Sequence, residues 1–217
     1  MSLKGLVVSY SPSPAVVVAK NLRNLGRDYS SRMHVRRLLR GTKPINLELG
    51  SGSKKGSNGW TTMDVVPGCD MYCNLAKGIP FPDGTVRNIY SSHFFEHLTY
   101  QQAQFVLGEC LRVMAPGGKF SVCVPNARLY FEAYVMRQAL DEGSFLSYEP
   151  AYNHTTRIDY VNYIAYMNED HKYMFDEENL VYLLERRGFK EVRIRAFDPS
   201  RDLKERDCVS IYAEGYK

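Results

Sequence analysis

The chain has 217 residues, 44% of them hydrophobic and 24% charged, with a formal net charge of +4. The length allows one generous domain or two cramped ones, and the proportions are those of an ordinary globular protein, which excludes disordered and fibrous classes. A positive balance this mild and unclustered argues against a dedicated nucleic-acid binder but leaves an anionic small substrate open.

The first 43 residues read as a flank with helical character. A strand-like stretch over residues 6–10 is followed by a Ser/Pro turn and an apolar run at 15–19. That run is far too short to span a bilayer and has no cleavage signature after it, so neither a membrane anchor nor a signal peptide is expected. Residues 31–40 place Met33, Leu38 and Leu39 among arginines and stop at Gly41, which predicts an amphipathic helix with a solvated basic face. The five cysteines (Cys69, Cys73, Cys110, Cys123 and Cys208) form no even framework. Free thiols in a reducing cytoplasm are the expectation, and Cys69 with Cys73 lacks the second ligand pair of a zinc ribbon.

From Pro44 onward strands and helices alternate. Strands are predicted at 45–49, 60–66, 71–73, 88–91 and 119–124, and a helix at 99–114. Pro116-Gly117-Gly118 reads as a hard turn between that helix and the next strand. Asp176 is a suitable N-cap for a helix over 178–187 closed by Gly188, and two further strands follow at 192–194 and 209–216. The pattern implies a mostly parallel α/β sheet with helices on both faces, and the closing strand pair lacks a helix, so the last strand should enter antiparallel. Residues 126–175 interrupt this pattern and hold Tyr130, Tyr134, Tyr148, Tyr152, Tyr160, Tyr163, Tyr166 and Tyr173. Such a segment either packs on the sheet edge or forms a substrate lid, since tyrosine combines stacking area with a hydroxyl. Its emergence beyond the carboxyl ends of the strands favours the lid, with Tyr130, Tyr134, Tyr152 and His154 as candidate substrate contacts.

Glu48-Leu49-Gly50-Ser51-Gly52 follows a strand directly, and its glycines allow a sharp turn close to a ligand. A plain tight turn would also contain them. Asp64, at the end of the next strand, adds a carboxylate placed to accept hydrogen bonds from ribose hydroxyls. A dinucleotide site would require a third glycine inside a phosphate-facing helix, and the short run from Lys54 to Gly59 leaves no room for one. Glu48 suits a cation and would repel a pyrophosphate. The ligand expected from these residues is therefore S-adenosylmethionine (SAM), a sulfonium nucleoside without phosphate.

Together these stretches resemble class I SAM-dependent methyltransferases of the methyltransferase type 11-like branch. Leu47-Glu48-Leu49-Gly50-Ser51-Gly52 is similar to their first motif. The runs from Ile79 to Val86 and from Ser91 to Leu98 are similar to their middle section. Leu111 to Gly118 resembles the turn before their fifth strand. The resemblance implies a Rossmann-like, seven-stranded, mostly parallel sheet whose last strand is antiparallel, with residues 44–217 as the methyltransferase domain and 1–43 as its helical flank. It further implies that Glu48, Gly50, Ser51 and Gly52 line the methionine and ribose end of SAM. Asp64 and Val65 would hold the ribose, Asn74 and Leu75 would border the adenine, and Ser92 and His93 would face the sulfonium and the acceptor.

The reaction expected is methyl transfer to a small-molecule or saccharide acceptor at oxygen, with no nucleic acid involved and a cytoplasmic location. Methyl transfer is an in-line displacement, so positioning supplies most of the rate, and a hydroxyl acceptor needs a base. His93, with an unperturbed pKa near ~6.5, is the candidate. A non-catalytic SAM-binding partner protein is one alternative. Another follows from His93-Phe94-Phe95-Glu96-His97, which matches the H-x-x-E-H signature of inverted zinc peptidases. If helical, it would set two histidines one turn apart. A peptidase would leave the glycine loop, the ribose acid and the Pro-Gly-Gly turn unexplained, so no metal is assigned, and Glu96 and His97 are expected to be structural.

Overall fold

The computed structural model describes residue 26 and residues 29–137 and 155–217. The expected strand at 6–10, the apolar run at 15–19, and Tyr148, Tyr152 and His154 lie outside the described residues. Residues 29–40 form helix α1, close to the span read from the arginine-rich pattern. Seven strands follow: β1 (Ile45–Leu49), β2 (Trp60–Asp64), β3 (Met71–Tyr72), β4 (Val86–Ser92), β5 (Met114–Pro125), β6 (Lys190–Ile194) and β7 (Ser210–Tyr216). Four more helices are α2 (Tyr100–Val113), α3 (Ala127–Val135), α4 (Arg157–Tyr166) and α5 (Glu177–Arg187). No described helix is long and apolar enough to cross a membrane.

The strands make one sheet in the order β3-β2-β1-β4-β5-β7-β6. β1 to β5 pair in parallel, whereas β7 runs antiparallel to both β5 and β6. The chain therefore builds outward from β1 in one direction and, from β4, in the other. A crevice opens between β1 and β4 at their carboxyl ends, where open α/β sheets bind ligands.

Alternation along β1 buries Ile45, Leu47 and Leu49 and turns Asn46 and Glu48 away from the core. Met63, Met71, Ile89, Phe120 and Val124 continue that core across the sheet. Val106, Cys110 and Val113 of α2 and Leu180, Leu183 and Leu184 of α5 pack onto it. Thr99 caps α2, its hydroxyl accepting from the Gln102 amide while the Gln102 side chain accepts from the Thr99 amide. Asp176 accepts from the Asn179 amide to start α5, and Gly188, at φ 114°, ends it.

The Pro-Gly-Gly turn is absorbed into β5. Met114 pairs with Val86 and Lys119 with Asn88, so five steps on β5 oppose two on β4. The turn expected before the strand is thus a bulge within it, with Gly117 at φ 68° supplying the left-handed residue. The described part of the tyrosine-rich segment forms α3 and α4, which bury Ala127, Tyr130, Tyr163 and Ile164 against one another in a small second core.

Candidate functional site

The glycine loop is fixed by the strand beside it. The amides of Gly50 and Ser51 donate to the Met63 carbonyl (2.9 and 3.4 Å), and the Gly52 amide donates to Asp64 Oδ2 (2.8 Å). Asp64 Oδ1 accepts from the Val66 amide at 2.9 Å. Asp64 therefore ties its own turn to the glycine loop, with lone pairs on each oxygen left for a ligand. Gly50 (φ 67°) and Gly52 (φ 62°) both lie in the left-handed region. A Cβ at Gly50 would overlap the Phe94 ring. Gly50→Ala is expected to lose about 2–5 kcal/mol of stability, the sum of left-handed strain and overpacking. Chemical denaturation reads this directly, and a loss below 1 kcal/mol would contradict the close approach of loop and ring.

Residues 53–59 carry no helix, as the short spacing predicts. Lys54 instead folds back so that its Nζ lies 2.9 Å from both Glu48 carboxylate oxygens. Sequence reading missed Lys54, because the six-residue separation across an irregular loop carries no periodic signal.

A cavity of about 510 Å³ opens over these tips. It is lined by Glu48, Gly50, Ser51, Gly52, Asp64, Val65, Ser92 and His93, all of them expected, and also by Lys54, Tyr90, Phe94, His97, Arg201, Leu203 and Arg206. Asn74 and Leu75 are not among its walls. Asn74 caps a 3-10 turn by accepting from the Ala76 amide, and Leu75 is buried in the core.

His93 stands just past β4 with φ 50°, a strained conformation for a non-glycine residue and one that recurs at functional sites. Its amide donates to the Cys123 carbonyl at 2.9 Å, anchoring it to β5. Its Nε2 is 2.8 Å from Ser210 Oγ, and its Nδ1 is 3.4 Å from Glu96 Oε1. The Ser210 hydroxyl donates to the Arg206 carbonyl at 2.6 Å. Burial, followed by the nearby Arg206 charge, pushes the His93 pKa down to about 3, so the ring is neutral.

Behind His93 lies a second cavity of about 140 Å³, walled by Tyr130, Tyr163, Ile164, Met167 and His171, with His93 and Arg206 shared between the two spaces. Tyr130 thus reaches a cavity. Tyr134 lines neither of them and is 44% exposed on α3.

The loop from 195 to 209 that closes the larger cavity is held by a buried network. Arg195 makes a two-pronged contact with Asp202, at 2.6 and 2.8 Å, and its Nε donates to Ser121 Oγ at 2.9 Å. The Tyr90 hydroxyl and the Asp198 amide also donate to Asp202, at 2.8 and 2.7 Å.

The H-x-x-E-H run is not helical in the way a zinc peptidase needs. Residues 95–97 form one 3-10 turn, and His93 lies outside it.

Residues 38–122 match the family model described as a methyltransferase domain. This segment is therefore similar to a methyltransferase domain. It carries the glycine loop, Asp64 and His93. A probable S-adenosylmethionine-dependent methyltransferase of Mycolicibacterium smegmatis is 49% identical over 53 residues, which take in 24% of this chain. The chain spans about a fifth (20%) of the length of that curated relative. Among solved structures, a SAM-dependent methyltransferase from Archaeoglobus fulgidus superposes with a TM-score of 0.50 at 14% identity, covering 88% of this chain and 94% of its own. A SAM-dependent methyltransferase from Thermotoga maritima, described as a possible histamine N-methyltransferase, gives 0.48 at 15% identity, with 92% and 96% covered. The first of these likenesses agrees with a Rossmann-like sheet for the domain.

Proposed function

We propose that the protein is a SAM-dependent methyltransferase that moves a methyl group onto a hydroxyl oxygen of a small-molecule or saccharide acceptor. The observation that carries this reading is the cavity at the β1/β4 crevice, where Asp64 and the Glu48–Lys54 pair meet beside the glycine loop. Its volume lies within the ~300–1,000 Å³ of small-ligand sites. Asp64 offers acceptor capacity to the ribose hydroxyls. Glu48 and Lys54 together match a zwitterion, carboxylate to α-ammonium and ammonium to α-carboxylate. Val65, 48% exposed beside Asp64, gives the nucleoside an apolar surface.

The smaller cavity is below the size of a whole-ligand site and suits the reacting end of an acceptor. His93 forms the wall common to both spaces, where methyl donor and acceptor would meet. Because the Ser210 hydroxyl donates to the Arg206 carbonyl, His93 Nε2 carries the ring proton and donates to Ser210 Oγ. For Nε2 to act as a base, that proton must first move to Nδ1, which faces Glu96 Oε1 at 3.4 Å. The acceptor hydroxyl then replaces Ser210 as the hydrogen-bond partner of Nε2, with the Ser210 side chain rotated away from the ring.

Isothermal titration with S-adenosylhomocysteine tests the cofactor assignment, and absence of binding would sink it. Asp64→Ala is expected to weaken that binding by ~1–3 kcal/mol, as when a partly buried, charged hydrogen-bond partner is lost. Unchanged affinity in the variant would remove the ribose assignment. A panel of hydroxylated acceptors, followed by release of S-adenosylhomocysteine, tests the acceptor class.

A further inference from the structure

The 3-10 turn at Phe95–His97 and the segment before α5 bring three metal-type ligands together. Glu96, His97 and His171 each offer one ligand atom, and the three atoms lie within 4.8 Å of one another. Glu96 is 1% exposed, and neither of its carboxylate oxygens has a hydrogen-bond partner among the described residues. His93 Nδ1 and His97 Nε2 stand off one of these oxygens at 3.4 and 3.8 Å, too far to satisfy it. A buried carboxylate without a donor is costly, so the group either takes up a proton or meets a positive charge.

The histidines are set up to share it. His97 Nδ1 lies 3.2 Å from the Asp170 carbonyl and His171 Nδ1 lies 2.8 Å from the Ile164 carbonyl. A carbonyl only accepts, so both rings carry a proton on Nδ1, which makes Nε2 the nitrogen placed to bind a metal. Histidine metal ligands are oriented in this way, with the outer nitrogen donating to a backbone carbonyl. The two segments are also clamped together, because the amides of Lys172 and Tyr173 donate to the Glu96 carbonyl at 2.7 and 3.2 Å. Three metal-type ligand atoms thus converge on one point.

We propose that Glu96, His97 and His171 bind one divalent transition-metal ion of the zinc type. Two imidazole nitrogens and one carboxylate are a known zinc donor set that leaves a coordination position open. With bonds of about 2.0–2.2 Å, the three side chains need only small rotations to close around the ion. The ion would tie the turn after β4 to the segment before α5 and hold Glu96 ionised, the state that a base at His93 requires. His97 lines the larger cavity and His171 the smaller, so the site lies in the partition between them. This departs from the expectation, drawn from the sequence, that Glu96 and His97 are structural and no metal is bound.

The test uses the full chain, freed of metal and titrated with zinc chloride alone, without SAM, so it is independent of the cofactor assignment. Zinc is a decisive probe because it binds N/O sites more tightly than manganese, iron(II) or cobalt. The expected result is one equivalent held against a chelator of micromolar affinity, with a zinc-dependent rise in melting temperature. Changing an outer-shell partner of a ligand costs roughly 10–100-fold in affinity, so Glu96→Gln and His97→Ala should each lose at least that much. His97 is part-exposed, so His97→Ala should keep the fold, which circular dichroism would verify. Cys69→Ser/Cys73→Ser should leave binding intact. Failure of the parent chain to hold zinc, or retention of its affinity in folded Glu96→Gln and His97→Ala, overturns the proposal.

Discussion

Replacing His93 by Asn is expected to lower kcat by roughly 100- to 10,000-fold while leaving S-adenosylhomocysteine affinity close to that of the parent protein. Asparagine is chosen because it tolerates the left-handed backbone that His93 adopts (φ 50°), so the loop should keep its course. Methyl transfer draws most of its rate from alignment, which the cavity walls would still supply. What the variant lacks is a nitrogen that can take the acceptor's proton. A merely structural His93 would show the opposite pattern, with cofactor affinity and melting temperature falling together and kcat following the folded fraction. The decisive measurement is single-turnover rate beside cofactor affinity, on an acceptor that supports turnover. A rate within an order of magnitude of the parent would remove His93 from the chemistry.

The sheet and the glycine cradle were legible because their information is local. Ile45, Leu47 and Leu49 alternate along one strand, Gly50 and Gly52 follow at once, and Asp64 stands at the end of the next strand. Each step needs only a neighbour within a few residues or a strand register. The rest of the site is assembled by contacts with no sequence period. Arg201, Leu203 and Arg206 reach the cavity only because the loop after β6 folds back over it. Read in one dimension, they are a mixed charge run and look like a solvated face. His171 is likewise 74 positions from His97 in the chain, yet their ring centroids are 5.2 Å apart. The short apolar tract around Asn74 and Leu75 does not carry its geometry either, since one side chain caps its own turn and the other enters the core.

Arg195→Ala is expected to be among the most damaging single changes in the chain, at about 3–5 kcal/mol, because it breaks a buried ion pair from one side. Asp202, 7% exposed, would keep the Tyr90 hydroxyl and the Asp198 amide but lose its countercharge. Arg195→Lys should rescue little, since an ammonium cannot hold both Asp202 oxygens and Ser121 together. Burial alone would raise the Asp202 pKa, but the Arg195 contact and the Asp198 amide outweigh it and hold the carboxyl below its ordinary value. The sign of the pH effect follows. A group depressed in the folded state contributes stability above its unfolded pKa, near ~3.9, and that contribution fades as acid takes the pH down through the folded value. Denaturant melts should therefore show the parent losing stability below about pH 4 in part through this group, and Arg195→Ala should lack that increment. Because the same pair holds the loop bearing Arg201 and Arg206, S-adenosylhomocysteine binding should weaken along with stability. A variant that binds normally and unfolds at the parent's denaturant midpoint would show that the network does not hold the cavity wall.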